Sequence, residues 1–150
     1  MRKRIAVLLG VTVTVAAVVA AVALAKPSMS PMSFKASLDS RPETPRPKGA
    51  PVRASGSFQA TLNGKTLKWT LSFDHLSGAA VAAHIHSGKR NVSGPVIVPL
   101  CGAACKSPIS GTTVVSAAVI KALGSGDTYV NVHTAKNPGG EIRGQLKGSM

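Results

Sequence analysis

The alternation that surrounds Asn63-Gly64 constrains this chain more than any other feature. Phe58, Ala60 and Leu62 occupy every second position before the pair. Leu67, Trp69, Leu71 and Phe73 repeat the pattern after it, with Lys68, Thr70 and Ser72 between them. A period of two places one set of side chains on one face of an extended strand. Asn-Gly favours a tight hairpin turn because both residues tolerate positive φ. The stretch therefore predicts a β-hairpin with one apolar face. A lone hairpin is at best marginal in water, so that face needs a second layer.

The remaining segments supply one. Residues 34–38 alternate (Phe34, Ala36, Leu38) and suit a first strand. Residues 79–86 form another candidate, with Val81, Ala83 and Ile85 on one face and Ala82, His84 and His86 on the other. Further strands are expected at 96–100, 111–115, 129–133 and 141–146, with turns at Ser77-Gly78, Gly94-Pro95 and Asn137-Pro138-Gly139-Gly140. Residues 116–123 read as a short helix capped by Ser116, with Val119, Ile120 and Leu123 at helical spacing. Roughly seven or eight short strands separated by turn signals imply an all-β Greek-key sandwich or barrel with one short helix. The proline-rich stretch 39–51 reads alone as a linker, and otherwise as a long ordered loop.

The N-terminus has a different character. Arg2, Lys3 and Arg4 precede an uncharged apolar run at 5–25 that ends in Ala23-Leu24-Ala25. This is the layout of a secretory signal peptide, expected to span 1–25 and to be followed by a short tail at 26–33 and a domain at 34–147. An uncleaved anchor is the alternative, because about 20 apolar residues can span a bilayer. Either way the domain is expected to be secreted or extracytoplasmic. There, Cys101 and Cys105 would form a disulfide. Its loop is so short that it should contribute less than the ~3 kcal/mol typical of a 15-residue loop.

Charge narrows the function. The chain carries 18 Lys and Arg against five acids, a net of +13. The acids Asp39, Glu43, Asp74, Asp127 and Glu141 form no local pair suited to a carboxylate-dyad enzyme, and no Gly-rich phosphate loop is present. Aromatic residues are 3% of the chain and sit mostly at core-like positions, which argues against nucleic-acid binding. The expected partner is an extracellular protein or an anionic cell-envelope polymer. Membrane contact is expected only through the N-terminal segment, if it is retained.

Histidine offers the best candidate site. His84 and His86 share one strand face, and two such imidazoles can converge on one copper or zinc ion. His133 shares a face with Tyr129 and Asn131 while Val130 and Val132 face the core, so it is a third candidate; His75 is a weaker fourth. Hydrogen-bonded structural histidines are the competing reading. If metal binds, its affinity should fall with pH through the ordinary histidine range near ~6.5. Glu141 and Arg143 share the face of the last expected strand, which suggests a structural ion pair or an anion contact at Arg143. No serine or cysteine nucleophile sits in a recognisable elbow. The residues themselves identify no catalytic group.

Three stretches, AAHIHSG at 82–88, GPVIVPL at 94–100 and YVNVHTAKNPGGEIRGQL at 129–146, together resemble the chordin-type (CHRD) domain. The opening FKASLDSRPETP and the hairpin region ASGSFQATLNGKTLKWTLSFDHLSG resemble that family's first part, so the likeness runs from about Phe34 to Leu146. It implies an exported, immunoglobulin-like β-sandwich distantly similar to copper/zinc superoxide dismutases, with 39–51 as an ordered loop inside the domain. In those dismutases an HxH strand supplies two copper ligands, a pattern that His84 and His86 match. The dismutases' zinc loop and long-range disulfide have no counterpart here. The leading expectation is a non-enzymatic binding or structural module. A copper- or zinc-binding protein, with redox chemistry open to it, is the alternative.

Overall fold

A computed structural model describes residues 30–149. The proposed signal segment at 1–25 and the first half of the tail, 26–29, lie outside the described residues. Among those described, the chain forms β1 (Met32–Asp39), β2 (Ser55–Asn63), β3 (Thr66–Asp74), β4 (Ala80–Ser87), β5 (Val96–Cys101), β6 (Ile109–Val114), α1 (Ala117–Ser125), β7 (Thr128–Thr134), β8 (Ile142–Gln145) and β9 (Lys147–Ser149).

The strands are antiparallel in the order β5-β4-β7-β8-β1-β2-β3-β6, with β9 also on β1. The seam between the two halves of this sheet is narrow. β8 meets β1 only at Asp39↔Arg143, and the chain then breaks at Leu146 before β9 pairs with Ser33–Lys35. The halves fold together over one apolar core, giving the expected all-β, sandwich-like architecture. From one half come Phe34, Leu38, Phe58, Leu62, Leu67, Trp69 and Leu71; from the other come Ala83, Ile85, Val98, Val130, Val132 and Ile142. Leu123 of α1 packs against the same core, and Ser116 caps the helix by accepting from Val119 N at 3.3 Å.

The hairpin forms as the alternation predicts, with full β2–β3 pairing from Ser55↔Asp74 to Asn63↔Thr66. Three boundaries differ from expectation. β1 begins at Met32, so part of the presumed tail is strand. The last expected strand is two, since Glu141 belongs to the preceding turn and β9 continues to Ser149. In β4, Val81 is exposed and Ala80 buried instead. A register shift against β7 between Ala80 and Ala82 inserts an extra residue, and such a bulge resets the alternation locally. Beyond it, His84 and His86 lie opposite Ile85, on the side expected.

The disulfide forms between Cys101 and Cys105, with Cα atoms 5.9 Å apart. Cys105 N donates to Ala80 O, so the small loop is tied to the start of β4. The 39–51 stretch is an ordered loop. Lys48 N donates to Asn137 Oδ1 at 2.7 Å, Ser93 Oγ donates to Thr44 O at 2.7 Å, and Glu43 is 3% exposed.

Candidate metal centre

The outer face of β4, β7 and β8 is not open to solvent. Every residue of β7 is buried, including Tyr129, Asn131 and His133, which point away from the apolar core. Three loops, at 40–54, 88–95 and 135–141, carry the groups that contact this face. Beneath them is a polar layer containing the sequence candidates.

β-Pairing brings the histidines together. His84 lies opposite Asn131, His86 opposite Tyr129, and Ala82 opposite His133. Neighbours on one face of an antiparallel pair lie within side-chain reach. One ligand nitrogen from each of His84, His86 and His133 falls within 4.8 Å of the others. His84 Nδ1 and His133 Nε2 are 3.1 Å apart. Nitrogens bound to one tetrahedral ion at ~2.0–2.1 Å would be roughly 3.3 Å apart, so the His84–His133 pair is near ligand spacing and the cluster as a whole would have to tighten on an ion.

The ring tautomers follow from the backbone. His86 Nδ1 lies 2.8 Å from Gly94 O, and His133 Nδ1 lies 2.9 Å from Pro138 O. A carbonyl only accepts, so each Nδ1 carries the proton and each Nε2 presents a lone pair. His86 Nε2 is buried without a hydrogen-bond partner, whereas His133 Nε2 accepts from His84 Nδ1. A second ring nitrogen bonded to a backbone carbonyl is the usual support of a metal-bound imidazole.

Two glycines allow that support. A Cβ on Gly94 would overlap Ser87 O, so only glycine lets this loop bring its carbonyl over β4. Gly140 has φ +127, and a Cβ there would collide with the Glu43 carboxyl and crowd Asn131. Tyr129 adds further order. Its ring stacks on His86 with centroids 4.9 Å apart and a 9° tilt, and its hydroxyl accepts from Gly94 N at 3.2 Å.

Burial lowers the affinity of all three histidines for protons. His133 is shifted from 6.5 to about 4, chiefly by burial, against its bond to Pro138 and with help from the charges His84 and His86 would carry. Burial and then His86 lower His84. Burial also lowers His86, and the Arg143 charge adds to it; the Gly94 bond and the hydrogen-bonding Asn131 side chain oppose it. The proton competition expected near ~6.5 is therefore moved to lower pH, and the neutral imidazoles that a metal needs persist there.

The Glu141–Arg143 ion pair expected from sequence does not form. Glu141 precedes β8, so the pleat does not align the two side chains. Glu141 instead accepts from Ser77 N, Ser77 Oγ, Thr134 Oγ1 and Asn137 Nδ2. Burial pushes its carboxyl up, but these hydrogen bonds outweigh that and leave it below its ordinary value. Arg143 donates through Nη2 to Lys89 O and Val92 O, and its Cζ lies 3.3 Å from the Tyr129 ring centroid. It is 1% exposed and clamps the 88–95 loop, so it does not face solvent as an anion contact would. His75 also stands apart. It is exposed on the β3–β4 turn and pairs with Asp74 at 3.3 Å.

Sequence reading missed Glu43. Burial raises its carboxyl, against a hydrogen bond from Thr44 N, the Arg143 charge and Asn131. Its Oε2, Arg143 Nη1 and Asn131 Oδ1 are buried without partners. The available signal was an acid between Pro42 and Pro45 in a chain with few acids.

The CHRD domain family matches residues 34–146, and the chain belongs to that family. No curated protein and no solved structure matches it.

Proposed function

We propose that this CHRD-domain protein is exported and binds copper or zinc through His84, His86 and His133. The observation that carries this reading is the convergence of three imidazoles, two of them held by backbone carbonyls with Nε2 turned into the cluster. A purely structural role accounts for those carbonyl bonds. It accounts less directly for the buried His86 Nε2, whose neutral lone pair meets no donor although Asn131 lies within side-chain reach, because an unsatisfied buried polar atom costs stability. An all-nitrogen ligand set favours Cu(II) over Zn(II) in intrinsic affinity. His84 is the least buried of the three, so the ion would enter on its side. The described cluster contains no acid, and nothing in its geometry assigns a reaction. Export rests on the N-terminal segment.

The test is titration of the metal-stripped protein with Cu(II) and Zn(II), beside His84→Ala. His84 makes no backbone bond through its ring, so this variant should keep the metal-free fold. One equivalent bound by the parent, with affinity about tenfold or more weaker in the variant, is the expected result. Absence of stoichiometric binding, or equal binding by both proteins, would sink the proposal. Nitrogen hyperfine structure in the Cu(II) spin-resonance spectrum would report the imidazoles directly.

A further inference from the structure

The other half of the sheet exposes its outer face, and the register of the strands specifies its surface. One cross-sheet row runs Lys147–Lys35–Gln59–Thr70–Ser110, and the next runs Ser149–Ser33–Thr61–Lys68–Thr112. A third joins Ser37, Ser57 and Ser72. Strand pairs that lie directly opposite share a face, so these residues form one surface of hydroxyls, amides and lysines.

Among the described residues, none of these three rows contains an acid. Glu43 and Glu141 are buried beneath the loops of the other half. Asp39 and Asp74 lie with Ser55 in the row beyond Ser37, Ser57 and Ser72, two rows from Lys35 and Lys147, and Asp39 is 3.2 Å from Arg41. Asp127 lies between α1 and β7. Lys35 and Lys147 nevertheless sit directly opposite each other, and like charges so placed destabilise a sheet. They line a groove of about 320 Å³ with Arg90, Ser37, Ser57, Gln59 and Gln145. The groove holds three cations and no carboxylate.

We propose that this face is a docking surface for an acidic polysaccharide. The lysines and Arg90 take its carboxylate or sulfate groups, and the Ser, Thr and Gln rows take its hydroxyls. Charge complementarity selects a polyanion, and the surface chemistry selects among polyanions. Single nucleic-acid strands are gripped by a charged groove together with aromatic rings on which the bases stack. Here Trp69, Tyr129, Phe34 and Phe58 are buried, and Phe73 is partly buried against the core. A membrane surface calls for apolar side chains that enter the lipid. The three rows contain none. The inference does not depend on the histidine site.

The experiment measures binding of the purified protein to immobilised polygalacturonate over a salt series, with neutral dextran, oligo(dT) and phosphatidylglycerol vesicles as comparison probes. The test variant is Lys35→Gln/Lys147→Gln. Its control, Lys106→Gln/Lys121→Gln, removes equal charge from exposed positions elsewhere. The expected result is salt-sensitive binding to polygalacturonate that exceeds binding to oligo(dT) and to vesicles. The test variant should lose about tenfold or more, and the control less than about twofold. The test variant should also melt no lower than the parent, because the opposed like charges are gone. Equal losses in the two variants would reduce the effect to net charge and overturn the site. Preference for oligo(dT) or for vesicles would overturn the ligand class. No binding to polygalacturonate would overturn the proposal.

Discussion

The two outer faces of this sheet start from the same strand alternation and end in opposite conditions. On β4, β7 and β8 the outward residues include His84, His86, Asn131, His133 and Arg143, and loops bury most of them. On β1, β2 and β3 the outward residues include Lys35, Ser57, Gln59, Lys68 and Thr70, and solvent reaches all of them. The covered face must satisfy its polar groups from within the protein; backbone carbonyls and the Glu141 hydrogen bonds meet part of that demand, while Glu43 Oε2, His86 Nε2, Asn131 Oδ1 and Arg143 Nη1 are left without partners. The bare face can leave charge unmatched because water solvates it. One face is thus built for rigid, local ligation and the other for broad electrostatic attraction.

Damage to the covering loops should have the largest effect. Gly140→Ala forces a side chain into a backbone conformation with φ +127 and into the Glu43 carboxyl. We expect a loss of about 3 kcal/mol in urea unfolding, from strain and lost packing together. Metal affinity should fall with it, because the 135–141 loop holds His133 through Pro138 O. A loss below about 1 kcal/mol would mean that the loops do not brace the covered face.

Acid should separate the faces next. The His133 pKa lies near 4 when folded against 6.5 ordinarily. The unfolded chain therefore binds more protons between those values, and stability should fall as pH drops from 6.5 toward 4. His84 and His86 act in the same direction. Glu141, held below its ordinary 4.5, adds a further loss as pH falls through that value. Glu43 acts oppositely, since its raised pKa stabilises the fold at low pH and that contribution is lost as pH rises above 4.5. The urea midpoint of the metal-free protein should be lower at pH 5 than at pH 7, and His133→Gln should shrink the difference. An unchanged midpoint in the parent would contradict the burial of neutral imidazoles.

The smallest effect belongs to the bare face. Thr70 is exposed and shares only a 3.3 Å hydroxyl contact with Ser110. Thr70→Ala should change stability by no more than about 0.5 kcal/mol. A larger cost in thermal unfolding would show that the exposed rows help hold the fold, and would weaken the contrast between the faces.

Much of the fold was legible because strand periodicity is local information. The hairpin at Asn63-Gly64, the Ser116 cap and the same-face placement of His84 and His86 each depend on residues a few positions apart. The Val81 position was not legible, because the bulge that exposes it depends on how β4 pairs with β7. The Glu141–Arg143 pairing failed for a related reason: Glu141 lies one residue outside the strand whose pleat would have aligned it.

The all-β class, the alternating faces, the excess of positive charge and the three histidines available for a site can all be read from residue order alone. That β4 and β7 are neighbours, and that loops from distant parts of the chain close over them, follows from the folded arrangement. It also decided that Glu43 is buried there while Lys35 faces Lys147. The physical reason is range. Backbone geometry sets which way a side chain points from its neighbours in sequence, but burial and charge pairing depend on what the folded chain brings from far away.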